Sequence, residues 1–114
     1  MPKAIDIVLD KPRKLRFDIN ALSDAEEALG MGLGALMRSQ MGVRAIRALL
    51  WAGLKWEDRG LTLEKTGDIV QKHIESGGNL EGLGESISRA LLASGLFDSE
   101  DEDDEKNTKA EAAK

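Results

Sequence analysis

The apolar residues of this chain change their spacing once and then stop, and that pattern constrains the fold more than any other feature. Between residues 5 and 19 they recur every second position: Ile5, Ile7 and Leu9 alternate with Asp6 and Asp10, and Leu15, Phe17 and Ile19 with Lys14, Arg16 and Asp18. Period two puts each set on one face of a strand. Lys11-Pro12-Arg13 lies between the two runs, and proline there favours a turn, so residues 5–19 read as a β-hairpin. An isolated hairpin is marginal in water, so its apolar face needs a support.

From about residue 20 the spacing becomes helical. Asn20 is a candidate N-cap, and Ser23-Asp24-Ala25-Glu26 fits a capping box. Leu22, Ala25 and Leu29 share a face, and Gly30 is a natural stop. Leu33, Leu36 and Met37 suggest a short helix before Gly42. The clearest helix spans about Val43 to Trp56: Val43, Ile46, Leu50 and Leu54 form an i, i+3, i+7, i+11 stripe that Leu49 and Trp56 widen. Arg44, Arg47 and Lys55 form its polar side, and Trp51 lies off the stripe, placed for a second element or a partner. Thr62 is positioned to cap a further helix with Leu63, Thr66, Ile69, Val70 and Ile74 inward. Gly77-Gly78-Asn79 separates it from a last helix lined by Leu80, Leu83, Ile87, Ala90, Leu91 and Leu92, ending near Gly95.

After Phe97 the hydrophobic residues vanish. Asp98 to Lys114 contains eight acids and three lysines, which accounts for the whole net charge of −5. Such a segment buries too little apolar surface to offset its ordering entropy, so 98–114 reads as a disordered acidic tail. The expectation is a mainly α fold, a small helical domain over 1–97 with an N-terminal β-hairpin and that tail. The 97-residue body is formally neutral, without a global basic field for nucleic acid. No apolar run reaches the length of a membrane span, and residues 1–6 do not resemble a signal peptide. The absence of cysteine removes disulfides, thiol nucleophiles and cysteine-type zinc sites.

No motif specifies catalysis. His73 is the single histidine, and spacing pairs it with no nucleophile, so an exposed or capping role is the simpler one. Gly30-Met31-Gly32-Leu33-Gly34 follows a helix and has the wrong third interval for a dinucleotide loop. The run from Asp98 fails the calcium-loop pattern, with Asp103 at the sixth position and Lys109 at the twelfth. Leu61 to Gly67 hints at a helix-turn-helix, but the following helix offers phosphates only Lys72 beside Asp68 and Glu75. Lys11, Arg13, Lys14 and Arg16 make a basic hairpin tip suited to edge protection, or to an acidic surface or tail. No enzyme, cofactor or metal site is expected. A chain this short carrying several apolar stripes and two tryptophans points to binding or self-association.

Two stretches carry a resemblance. One is Leu15-Arg16-Phe17-Asp18-Ile19-Asn20-Ala21-Leu22, followed by Ala25-Glu26-Glu27-Ala28-Leu29-Gly30. The other is Ile46-Arg47-Ala48-Leu49-Leu50-Trp51-Ala52-Gly53-Leu54, followed by Leu61 to Gly67. Together, over about residues 5–95, they resemble the tail assembly chaperones of long-tailed phages and gene transfer agents. The glycine-rich stretch 30–34 is not a mark of that family. The resemblance implies a non-enzymatic, mainly helical protein of the host cytoplasm, absent from the mature virion. Its partners would be the tape measure protein, kept soluble, and the tail tube protein, recruited through a longer form made by ribosomal frameshifting. Glu105-Lys106-Asn107 can be encoded by a slip-prone run of adenines, or be an ordinary charged tripeptide. The partner-binding residues inferred on the clearest helix are Arg47, Leu50, Trp51, Leu54 and Trp56, with Trp51 first because aromatics dominate interface energetics. A small DNA-associated regulator and a homo-oligomeric structural domain are the alternatives.

Overall fold

The computed structural model describes residues 3–38 and 41–96. It is mainly helical, with an N-terminal two-stranded hairpin. Strand β1 (Ile5–Val8) pairs antiparallel with β2 (Pro12–Leu15), followed by α1 (Ile19–Leu29), α2 (Leu33–Met37), α3 (Val43–Leu54), α4 (Leu63–Glu75) and α5 (Leu80–Ala93). Phe97 and the acidic segment 98–114 lie outside the described residues.

Helix α3 is the axis of the fold. It packs against α1, α4, α5 and β2. Ala45, Ile46, Ala48, Leu49, Leu50, Ala52, Gly53 and Leu54 are all buried on it, so its inward surface is far wider than one stripe. The hairpin's support is this helix and α5: Ile7, Leu9, Leu15 and Phe17 join the core, the last two with no exposure at all. The alternation of period two therefore holds through Phe17.

Local chemistry moves three expected boundaries. Pro12 is in the ladder opposite Val8, not in the turn. A proline is tolerated at the first residue of a strand, and Arg13 reaches back to Asp10 through Nε at 2.8 Å and Nη2 at 3.0 Å, clamping a turn placed earlier. Ile19 does not continue the hairpin face. Asp18 accepts a hydrogen bond from the Ala21 N–H at 2.8 Å, so Asp18, not Asn20 or Ser23, is the N-cap, and Ile19 opens α1 at 63% exposed. At α3, Val43 is the first helical residue and is 62% exposed, while Trp56 lies beyond the helix, which ends at the Lys55 C-cap. Ile74 and Leu92, expected inward, are also exposed.

Other punctuation falls where expected. Gly30 ends α1 with φ 72°, a left-handed conformation that costs glycine least, and donates to Glu26 O at 2.8 Å. Glu26 Oε2 then accepts the Leu33 N–H at 2.8 Å, satisfying an open donor at the start of α2. Thr62 caps α4 by accepting from the Lys65 N–H, and Asn79 caps α5 by accepting from the Gly82 N–H. Thr66 is fully buried, and its hydroxyl donates to Thr62 O at 2.8 Å.

Candidate partner-binding surface

The five inferred binding residues separate into two groups. Leu50 and Leu54 are core residues, with 0% and 1% exposure. That corrects their assignment to a partner surface: α3 is enclosed on several sides, and they face the interior. Arg47, Trp51 and Trp56 are half-buried and reach the surface.

Arg47 and Trp51 stand one turn apart on α3, and Lys55 continues the row at the same interval. The Arg47 side chain lies over Gly67 of α4, where an added Cβ would sit 3.4 Å from Arg47 Cδ. Trp51 packs its inner side on the core and donates its indole N–H to Leu61 O at 3.1 Å, fastening the loop before α4 to α3. The Lys55 ammonium sits 4.3 Å from the centroid of the Trp51 ring and also pairs with Asp24 of α1. An ammonium over an indole face is held by the ring quadrupole, the strongest such aromatic partner.

Trp56 repeats the arrangement on the other side of Lys55. Its indole N–H donates to Lys14 O at 3.1 Å, and Arg16 stacks its guanidinium 4.2 Å from the ring centroid. Arg16 Nε is buried without a hydrogen-bond partner, while Nη2 lies 3.7 Å from Asp18. An open cleft of about 570 Å³ runs beside Trp56 between α1 and the end of α3, lined by Arg16, Asp18, Asp24, Lys55 and Arg59 among others. The surface is thus two tryptophans, each carrying a cation on its face, around a cleft of mixed charge.

Lys55 and Arg59 were not singled out as binding residues from sequence, and Arg16 only as part of the basic hairpin tip, not beside Trp56. Arg16 and Trp56 are 40 positions apart, and Asp24 and Lys55 are 31 apart. No local spacing signals such pairs.

The hairpin tip is less basic than its sequence implies. Arg13 bonds Asp10 and, at 3.3 Å, Asp58; Lys14 pairs with Asp6 at 2.7 Å. The Arg13 hydrogen bond holds the Asp10 carboxyl below its ordinary value, and Asp10 in turn raises Arg13. His73 stays against its own helix end, where its ring closes over Gly78 and leaves no space for a Cβ. Among the described residues no three histidine, aspartate or glutamate side chains group as a metal site, and no helix is long and apolar enough to cross a membrane.

Fold and surface together define a small α-helical domain, organised around one buried helix and presenting a paired tryptophan and cation surface. No family model matches the chain, and no curated protein and no solved structure matches it either.

Proposed function

We propose that the protein is a tail assembly chaperone of the long-tailed phage type, a holdase that keeps a tape measure protein soluble until tube subunits assemble on it. The observation that carries this reading is the row Arg47, Trp51, Lys55, with Trp56 beside it, on the rigid central helix. A holdase needs an amphipathic surface that grips long helical clients without a reaction centre. Tryptophan faces provide apolar contact area at low entropy cost, and the flanking cations meet client carboxylates. Arg47 and Trp51 of this row lie within Ile46 to Leu54, one of the segments that resemble the chaperone family, while Lys55 and Trp56 directly follow it. In this reading the protein works in the host cytoplasm and leaves before the virion is complete. A longer form, frameshifted near Lys106, recruits the tail tube protein.

The test is co-expression of the full chain with a tape measure protein, measuring client solubility and the affinity of the purified pair. Trp51→Ala should weaken capture about 30-fold, the size of an interface hot spot worth ~2 kcal/mol. Trp51→Phe keeps an aromatic face and should lose much less. A tape measure protein that is equally soluble without the chain would remove the chaperone reading. Equal capture by Trp51→Ala, with the fold intact, would remove this surface.

A further inference from the structure

Helix α5 carries an apolar groove along one row of residues and an apolar knob at that row's end. Leu80, Gly84, Ser88 and Leu92 follow one another at intervals of four, a ridge along the helix surface. Along it, Met41 and Ile46 join Leu80, Gly84 and Ser88 in an open groove of about 670 Å³, with Glu81, Glu85 and Arg89 on its rim. At its end, Leu92 is 51% exposed, the most exposed large apolar side chain of α5. About 18 Å along the helix separates Leu92 from Leu80 at the far end of the groove, from twelve residues at the α-helical rise. Gly84 and Ser88 are the small residues within the groove. Nothing stands within 4 Å of a Cβ added at Gly84, so that stretch of helix is open to close approach.

We propose that α5 pairs antiparallel with α5 of a second copy of this chain, about a two-fold axis at Ser86. That axis sets Leu80 against the partner's Leu92 and Gly84 against the partner's Ser88, at both ends at once. Each Leu92 then fills the groove of the other copy, and the small residues let the helices meet at the centre. Packing of the i, i+4 ridges of two helices is the commonest helix contact in globular proteins.

The charges choose the same occupant. Arg89 bonds only Ser86 Oγ, at 3.3 Å, and Glu81 and Glu85 form no ion pair among the described residues. Under the two-fold, Arg89 of one copy falls between Glu81 and Glu85 of the other, about 3 Å along the axis from each. In antiparallel pairing the same flank of each helix meets its counterpart, so one arginine and two carboxylates satisfy each other twice. The acidic segment 98–114 would meet two carboxylates and one arginine on this rim, a net charge of its own sign. The pairing stands independently of the chaperone reading, because it uses α5 and not the tryptophan surface.

Sedimentation equilibrium of the full chain across a concentration series tests it. The expected result is a reversible dimer dissociating near the micromolar range. Leu92→Asp should raise the dissociation constant about 100-fold, with far-UV dichroism unchanged because Leu92 is exposed. Arg89→Glu and Glu85→Arg should each weaken the dimer when alone, and a mixture of the two variants should restore it as a heterodimer. A chain monomeric at every concentration overturns the proposal. So does a dimer indifferent to Leu92→Asp, or charge variants that fail to rescue one another.

Discussion

Gly53→Ala should destabilise this protein, although the same substitution in an open helix stabilises. Gly53 sits in the last turn of α3, where the segment between β2 and α1 crosses the helix. An added Cβ would stand 2.5 Å from Leu15 Cδ1, 3.0 Å from Phe17 Cζ and 3.1 Å from Phe17 Cε1. Carbon contacts settle at about 3.5–4.0 Å, so Leu15 must retreat by roughly 1 Å or more. Leu15 and Phe17 are both fully buried, so neither has free space to enter. The backbone cannot withdraw cheaply either, because the Arg16 N–H donates to Gly53 O at 2.9 Å. Overpacking of this kind costs about 1–3 kcal/mol, and this contact belongs at the upper end. Alanine returns about 1 kcal/mol of helix propensity. The net loss is about 2 kcal/mol, or roughly 10 °C in a domain of this size. Gly84→Ala is the control, since its Cβ meets nothing within 4 Å, and it should gain up to about 1 kcal/mol. Urea unfolding followed by tryptophan fluorescence, below micromolar concentration so that self-association does not enter, measures both. A Gly53→Ala protein as stable as the parent would refute the seating of Leu15 and Phe17 on α3.

Two further outcomes follow from burial and charge. Asp10→Asn should flatten the acid limb of the stability profile: the Arg13 hydrogen bond depresses the native carboxyl below its ordinary value of 3.8, so that contribution is fully present above about pH 4 and fades as pH falls through the lowered value. Urea midpoints from neutral pH to pH ~3 should converge for parent and variant; a constant offset down to the lowest pH would exclude the linkage. Leu50→Ala should cost about 2–5 kcal/mol by opening a cavity in the fully buried core. Partner affinity per folded molecule should stay unchanged, and selective loss of affinity with an undiminished urea midpoint would return Leu50 to the binding surface.

The switch in apolar spacing was sufficient to read the hairpin and five helices, and glycine, threonine and asparagine at 30, 62 and 79 marked real helix ends. The errors cluster where a polar side chain competes with periodicity. Asp18 fits the alternating strand pattern equally well as a polar position or as a helix cap, and the bond to Ala21 N decides for the cap, which turns Ile19 outward. Pro12 reads as a turn residue until Arg13 is seen clamped to Asp10. On α3 the stripe was legible, but how many neighbours surround it was not. A helix covered on one side would leave Leu50 or Leu54 near an edge; one packed by α1, α4, α5 and β2 buries both. The displacement of Trp51 from the stripe was the one site signal that spacing supplied, and it led to a residue at the surface. Gly53 gave no signal beyond being a poor helix former inside a good helix.

The tryptophans explain how the proposed binding surface can coexist with so small a core. Each indole N–H is spent on a backbone carbonyl of a neighbouring segment, Leu61 for Trp51 and Lys14 for Trp56, so both rings are fixed before any partner arrives. Their exposed faces are shielded by Lys55 and Arg16 rather than by apolar side chains. A cation on a ring protects it from indiscriminate apolar association, and with Arg16 and Lys55 both partly buried its displacement costs between the ~0.5–1 kcal/mol of an exposed contact and the ~2 kcal/mol of a desolvated one. Lys55 is also held by Asp24, and Arg16 faces Asp18. On the proposed chaperone reading, a client carboxylate that draws either cation away from its aspartate would uncover the indole beneath it in the same movement. Apolar and charged recognition would then be coupled through these two side chains, which would give an amphipathic client an advantage over a purely greasy or purely acidic one.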